Sequence, residues 1–566
     1  MKKIVCTLLA MGIICVTVVA QSEISNLTDC TLPEVYVETE LTLHQLRRLS
    51  PLFSIDQVSK MDHDRYDVRI CVGRNEYEKF EQLHLPYRIY TPSKANVTMA
   101  NSYAQLTANW NRYPTYSCYL ETMQTFQQLY PNLCHIDTIL AQTPGGHSIL
   151  VAHISNNLAE RGDKPAFFYT STMHGDEPVG YYLLLHLIHH LLSNYATDSE
   201  VAYLVDNVDL WICPIENPDG TYYTSDNSLN ESPYSTRYNA NAVDLNRSYP
   251  NAGEDGSGNC EPEVQAMMTF GADKHFTMSA NFHGGAEVFN YPWDIWYSWQ
   301  NPHADEDWWV WVGNRFVGIC QQVSSHYMTD VNNGITEGAE WYSITGSRQD
   351  YFNYYLGCRE VTIELSENKV VSSSQLPNYW NRTRAALLDY AGQCLNGFRG
   401  VVTDSVTGAP LAAQVTIESH DRNNSAVSSV LPVGNYHRPI KAGEYMVTYS
   451  APGYHTKSVN VTTTDNACVR QDVQLVPVGY AVETYVAPAF VLFPNPTDGM
   501  LIVTSMVDPP KQFDLYLYDS LGRQIYYSKV DPGSSILDIS PLRAGVYIAH
   551  IYDGSQRIYQ EKIVKK

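Results

Sequence analysis

His174-Gly175-Asp176-Glu177-Pro178-Val179-Gly180 stands where a strand-like run, Ala166–Thr170, gives way to a helix-like run, Tyr181–Leu192. A histidine and a carboxylate with two residues between them, at the end of a strand, can converge on one small cation, which is half of what a catalytic zinc site requires. The pair arises often by chance. Its meaning depends on whether the rest of the chain supplies further ligands and a fold that gathers them.

Outward from this stretch, further strand-like runs are Cys134–Ile139, Ser148–Ile154, Val208–Ile215, Thr277–Phe282 and Arg359–Leu365, with helical or loop segments between them. Tyr119, Met123, Phe126 and Tyr130 recur at helical spacing before Pro131. This alternation predicts an α/β unit, a mixed sheet flanked by helices. Ligands in such sheets bind outside the carboxyl ends of strands, where the chemically interesting residues of this chain fall. His283, ending one run before Gly284-Gly285, is the natural third ligand beside His174 and Glu177. Glu364, alternating with apolar neighbours in Glu360–Leu365, is a candidate proton acceptor. Arg237 and Asp244-Leu245-Asn246-Arg247 add donors that can fork around a carboxylate or stabilise an oxyanion.

The 566 residues exceed one ordinary domain, and 37 basic against 60 acidic residues leave a net charge of -23. That balance argues against nucleic acid, whose phosphates need Lys/Arg stripes, and suits basic peptides. Lys2 and Lys3 before an apolar run to Val19, with Ala20 ahead of Gln21, read as a signal segment, residues 1–20. No later run reaches the length of a membrane helix. The ten cysteines after the signal are scattered without a Cys-x-x-Cys pair, so neither a cysteine zinc site nor a redox motif is indicated. Residues 21–102 read as an α+β unit with a polar linker, Thr91–Ser102, and serve equally as a pro-segment or a permanent accessory domain. Residues 103–395 form the α/β unit and 396–476 a small β-sandwich. Residues 477–486 form a linker, and 487–566 a last β-rich unit.

The ordered set His174–Gly180, Asn217-Pro218-Asp219-Gly220, Asp244–Arg247, His283-Gly284-Gly285 and Glu360–Leu365 resembles the zinc metallocarboxypeptidases, specifically the branch of carboxypeptidases N, E, M and D. The resemblance covers roughly 113–395. It implies that His174, Glu177 and His283 hold one Zn2+, that Glu364 is the general base, and that Arg237 polarises the scissile carbonyl. It also implies that Asn246 and Arg247 clamp the substrate's terminal carboxylate, with Tyr342 closing over it. Asp294, in Tyr291-Pro292-Trp293-Asp294, matches the pocket aspartate of the members specific for basic residues, which implies release of C-terminal Lys or Arg from peptides and proteins. Residues 396–476 resemble the transthyretin-like domain of that branch. The tail, with Phe493-Pro494-Asn495-Pro496, Leu521-Gly522-Arg523 and Gly545-Val546-Tyr547, resembles the sorting domain of Bacteroidetes type IX secretion substrates. The expected setting is therefore secreted or attached to the outer-membrane surface, reached through the periplasm, with the type IX machinery as partner.

Two positions depart from the branch. Asp176 stands where asparagine is usual, and its charge is expected to favour basic peptides. Arg348, in Gly346-Ser347-Arg348-Gln349-Asp350, is expected to pair with an acid near the pocket and weaken selection for a basic side chain. Two other readings stay open: hydrolysis of another amide, such as a murein peptide or an N-acyl amino acid, and a non-catalytic surface adhesion module.

Overall fold

The computed structural model describes residues 27, 30–62, 64–92, 94–230, 234–256, 258, 260–479, 490–507 and 509–566. The expected signal segment and most of the 477–486 linker lie outside the described residues. The chain divides into two compact units, 1–477 and 478–566.

At the centre of the first unit is an eight-stranded mixed sheet. Its order is Ile335–Glu337, Glu287–Tyr291, Arg359–Leu365, Met278–His283, Ala166–Ser171, Asp209–Cys213, Ile149–Ile154, Cys134–Leu140. The inner strands Arg359–Leu365, Met278–His283, Ala166–Ser171 and Asp209–Cys213 are buried at every residue. Their polar side chains are therefore buried as well, and Ser279 and Asn281 donate to Glu360 inside the sheet layers. Phe167, Tyr169 and Phe282 pack in one core with helices Val179–Asn194, Glu306–Val323 and Leu376–Gly392. Ala166 and Phe168 enter the other with Pro262–Lys274 and Arg348–Leu356. Helix Tyr116–Leu129 starts at Thr115, whose hydroxyl accepts from the Cys118 N–H at 3.2 Å, and ends just before Pro131.

The N-terminal unit is a four-stranded antiparallel sheet, Ser54–Asp62, Arg65–Gly73, Glu34–Thr42 and Arg88–Tyr90, with helices Leu43–Leu49 and Tyr77–Glu81. It buries its own core, including Val37, Leu46, Ile55, Val68, Ile70 and Phe80. Strand Ser54–Asp62 was not legible in the sequence. Register shifts at Ile55/Gln57 and Lys60/Asp62 break the two-residue alternation that would have marked it. The polar stretch expected to be a loose linker is tied down: Met99–Ala100 pairs with Tyr113–Pro114, and the Asn96 and Thr98 N–H groups donate to Ser372 and Ser373.

Residues 397–475 form two facing sheets. One contains Gly397–Asp404 and Asn435–Arg438, the other Gln414–Ile417, Gly443–Ser450 and Lys457–Thr463, around a core that includes Phe398, Val415, Val447 and Leu475. The second unit, described by itself, is also two sheets, of three and four strands, closing on Leu501, Leu515, Leu517 and Ile551. Strand Phe513–Tyr518 alternates buried and half-buried residues, as one covered face requires. All ten described cysteines are free thiols. No described helix is long and apolar enough to cross a membrane.

Candidate metal centre and substrate cavity

Strand Ala166–Ser171 ends in a turn at Thr172, whose N–H donates to Phe282 O and whose hydroxyl donates to Glu177 O. This folds His174 and Glu177 back over the end of the neighbouring strand. A Cβ on Gly175 would lie 2.2 Å from the Gly220 backbone carbon, so only glycine fits between the two loops. The facing loop is held by the Asn217 amide, which donates to Met173 O and Arg237 O, and by Asp219, which accepts from Thr143, Gly145 and His147. The Asn217-Pro218-Asp219-Gly220 segment is thus a brace for the metal loop.

On the adjacent parallel strands, His283 and Glu364 are register partners at the carboxyl ends. His283 Nδ1 lies 2.9 Å from His174 Nδ1 and 3.0 Å from Glu177 Oε2, and the last two are 3.0 Å apart. Two imidazole nitrogens and a carboxylate oxygen aimed at one spot are a donor set for a single zinc ion, whose ligands sit at about 2.0–2.2 Å. The second shell agrees. Asp244 Oδ1 is 3.2 Å from His174 Nε2, fixing that ring, and Asp244 Oδ2 accepts from Arg237 Nε at 2.9 Å.

Burial and the nearby His174 bring the His283 imidazole down to about 4, so it is neutral and available as a ligand. Burial alone would raise Glu177, but His174 and Lys369 outweigh it and hold the carboxyl well below its ordinary value. Burial, and next the Glu177 carboxylate, push Glu364 well above its ordinary value. Its Oε2 is buried without a hydrogen-bond partner, an acceptor kept for something outside the protein.

All nine residues singled out in the sequence line one cavity: His174, Glu177, Arg237, Asn246, Arg247, His283, Asp294, Tyr342 and Glu364. At the end away from the triad, Asp294 is buried and accepts from Gln349 Nε2 at 3.1 Å and Asn290 Nδ2 at 3.3 Å. A Cβ on Gly338 would sit 1.9 Å from Asp294 Oδ1, so that wall too must be glycine. Burial raises the Asp294 carboxyl above its ordinary value. The Arg348 N–H donates to Asn246 Oδ1 at 3.0 Å.

The two departures both turn inward. Arg348 does pair with acids, but not with Asp294: fully buried and off the cavity wall, it meets Glu216 at 2.8 Å and Glu360 at 2.9 Å. Two carboxylates in the interior draw the guanidinium inward. Asp176 does not line the cavity. It accepts from the Tyr36 hydroxyl and from Lys369 at 3.0 Å, so its charge is spent on a buried cation rather than offered to substrate.

Sequence reasoning missed the groups that now crowd the site. Lys369 contacts Asp56 at 2.9 Å, Asp176 at 3.0 Å and Glu177 at 3.2 Å. Ile55 and Asp56, on the unrecognised strand of the N-terminal unit, line the cavity and leave it only about 30 Å³. Beside them Ser54 donates to Asp244, and Glu34 accepts from the Thr236 hydroxyl at 2.6 Å and the Arg237 N–H at 2.9 Å. Tyr342 packs against the core of that same unit. Lys369 lies five residues beyond Glu364 and Gln349 follows the noted Arg348, so position offered a clue to both. Asp56 gave none.

Comparison with known proteins agrees with this geometry. Residues 119–386 match the zinc carboxypeptidase family, 397–476 the carboxypeptidase regulatory-like domain, and 491–566 the secretion system C-terminal sorting domain. Carboxypeptidase M of Mus musculus is 32% identical over 359 residues, 60% of this chain and 78% of the relative. Carboxypeptidase SOL1 of Arabidopsis thaliana is 35% identical over 351 residues, 60% of this chain and 67% of the relative. Carboxypeptidase D of Drosophila melanogaster is 34% identical over 373 residues, and the match spans only 26% of that longer protein. The crystal structure of carboxypeptidase A from Helicoverpa armigera superimposes with a TM-score of 0.50 at 16% identity, over 64% of this chain and 97% of that one, a likeness of fold. A His, Glu, His donor set at the carboxyl ends of a mixed sheet, together with relatives above 30% identity matched over at least two thirds of their own length, shows that the chain belongs to the zinc carboxypeptidase family.

Proposed function

We propose that the chain hydrolyses the C-terminal peptide bond of peptides and proteins and releases Lys or Arg. The observation that carries this reading is that the His174, Glu177, His283 triad, Glu364 and a buried carboxylate, Asp294, line one cavity. His174, Glu177 and His283 would hold the zinc. Bound there, it lowers the pKa of a water molecule toward about 7 and polarises a carbonyl. Glu364, with its free buried oxygen, takes the proton of the attacking water and passes it to the leaving amine. Arg237 faces the developing oxyanion, and Asn246 and Arg247 hold the terminal carboxylate, with Tyr342 closing the cavity. Asp294 pairs with the cationic side chain. An apolar side chain would leave that carboxylate buried and unpaired, which disfavours Phe or Leu.

Residues 21–102 act in this reading as a pro-segment. Asp56 and Ile55 line the cavity, which is only about 30 Å³, so in this reading substrate enters only after this unit moves or is cut away. The sorting domain would direct export through the type IX machinery to the cell surface or medium. The deciding experiment is zinc-dependent release of free Lys or Arg from a peptide. Glu364→Gln should retain zinc and lose turnover. Equal turnover of Phe-terminated and Lys-terminated peptides would remove the Asp294 assignment.

A further inference from the structure

The segment from Asp294 to Asp305 is a bridge with two anchored ends. At the near end, the Asp294 and Ile295 N–H groups donate to Asp350 at 2.8 and 2.9 Å, and Asp294 O accepts from the Ile344 N–H at 3.0 Å. These anchors belong to the catalytic sheet's own layers. The far end is held by Arg359 of the catalytic sheet and, in addition, by a different domain. Arg438, on strand Asn435–Arg438 of the β-sandwich, is fully buried and grips Asp305 with both terminal nitrogens, at 2.6 and 2.8 Å. His420 Nε2 reaches Asp305 Oδ1 at 2.8 Å, Arg422 donates to His303 O at 3.1 Å, and Asn423 donates to Asn301 at 2.6 Å.

Asp305, His420 and Asp421 cluster closely enough to suggest a bound cation, but guanidinium groups already stand there. Arg438 also contacts Asp421 at 2.7 Å, and Arg359 meets Asp305 at 2.9 Å and Ser425 O at 2.6 Å. A forked, fully desolvated arginine pair of this kind fixes position as well as charge. From Asp305 the constraint runs back through His303, whose Nδ1 accepts from the Asp305 N–H at 3.0 Å and from Trp309 Nε1 at 3.1 Å. The His303 ring packs 4.9 Å from Trp293, the residue before Asp294. Trp293 is itself buried and keeps the pocket wall, its carbonyl accepting from the Ala339 N–H at 2.8 Å.

We propose that the β-sandwich is a selectivity element: through Arg438 it positions the 294–305 segment and thereby the pocket carboxylate, Arg438 being the positioning residue. The proposal rests on the reading of Asp294 as the partner of a basic side chain. A loosened far end lets His303 and Trp293 shift, and Asp294 then meets a cation less squarely. The damage should fall on the binding of basic side chains and spare the reaction at the metal triad.

The test compares kcat/KM for peptides differing only in a terminal Lys or Leu, using the full chain or, where that is inactive, the same chain after release of its N-terminal unit. Arg438→Met should lower the Lys-over-Leu ratio by about 3- to 30-fold, the range for mutations acting through an intervening network. It should act through KM for Lys, with kcat nearly unchanged. Arg438→Lys should recover part of the ratio. The paired change Arg422→Ala with Asn423→Ala, at an exposed and a half-buried position, should lower it in the same sense and carries the test if Arg438→Met does not fold. Folded, zinc-loaded variants that keep the parent ratio, or that lose kcat alike on both substrates, overturn the proposal. Asp294→Ala separates the two layers. If it leaves the ratio intact, the pocket reading fails and the inference with it. If it collapses the ratio while the sandwich variants do not, the inference alone fails.

Discussion

Asp56→Asn in the uncleaved chain should activate it. Asp56 is a charged contact of the N-terminal unit with the site, 2.9 Å from Lys369 Nζ and almost fully buried, with Arg69 at 3.6 Å. Asparagine keeps the shape and removes the charge. Lys369 would still face Asp176 and Glu177, so no stranded cation adds to the loss. The change is then the loss of one close, nearly buried ion pair, about 1.5–3 kcal/mol at the lower end of couplings between close charges across an interface. While the closed arrangement dominates, activity follows the small open fraction, so this corresponds to a rise of roughly 10- to 100-fold in basal rate. The assay is the initial rate of lysine release from a Lys-terminated peptide by zinc-saturated chain, with intact length checked at the end of each run. Activity of a chain cut within 91–98 sets the upper limit. An unchanged basal rate in Asp56→Asn, with strong activation on cutting, would refute the role of this contact. No activation on cutting would refute the inhibitory role of the whole unit.

Docking of the N-terminal unit should weaken as pH rises. Burial, and next the Asp176 charge, raise the Glu34 carboxyl to about 8, above its ordinary value near 4.5. Proton uptake therefore favours the docked form: this contribution is fully present below about 4.5 and is lost as pH rises through about 8. Release after a nick in 91–98 should be faster at alkaline than at mildly acidic pH, and Glu34→Gln should flatten that profile; an unflattened profile assigns the dependence elsewhere. Asp244→Asn, which loosens both His174 and Arg237, should lower zinc affinity by about 10- to 100-fold, read by competition with a chelator. Arg348→Met should leave Glu216 and Glu360 without their cation and cost about 3–5 kcal/mol in chemical denaturation. A stability within about 0.5 kcal/mol of the parent, typical of a surface substitution, would count against that buried triad.

Local pattern and motif spacing sufficed for the central sheet and for the site's inner residues. Ala166–Ser171, Met278–His283 and Arg359–Leu365 carry Phe, Tyr, Val, Ile and Leu at the spacing of strands and are buried at every residue, and each ends on a residue that faces the cavity or leads to one. The last two strands at one end of the sheet, Glu287–Tyr291 and the edge strand Ile335–Glu337, are short, and the sequence does not mark them. The orientation of Arg348 was not legible either. Whether a guanidinium turns toward a pocket or toward Glu216, 132 positions away, depends on packing that spacing does not encode. The same holds for Tyr36 on Asp176 and Lys369 on Tyr36, separated by 140 and 333 residues. Strand Ser54–Asp62 combines both difficulties: its alternation is broken by register shifts, and its importance lies entirely in what it touches far along the chain.

The two attachments to the catalytic sheet differ in what their removal leaves behind. The N-terminal unit carries its own closed core, and the small apolar cluster at its seam consists of Tyr36, Cys71 and Tyr238, with Tyr90 alongside. Apart from Tyr342, packed on that core, its remaining grip is polar: Glu34, Tyr36, Ser54 and Asp56 each meet a partner on the catalytic side. When that unit leaves, Lys369 retains two carboxylates, Arg237 retains Asp244, and His174 retains both Glu177 and Asp244. The charges of the site still pair without it. The sandwich offers no such exit. Asp305 is shared by Arg438, His420 and Arg359, so withdrawing Arg438 and His420 strips a fully buried carboxylate of most of its partners, and Arg359 loses the Ser425 carbonyl at the same time. Breaking such a buried set by removing one side costs several kcal/mol, whereas water can replace the polar contacts of the N-terminal unit at the mouth of an opening cavity. In the proposed pro-segment reading, these contacts suit the N-terminal unit to release and the sandwich to retention.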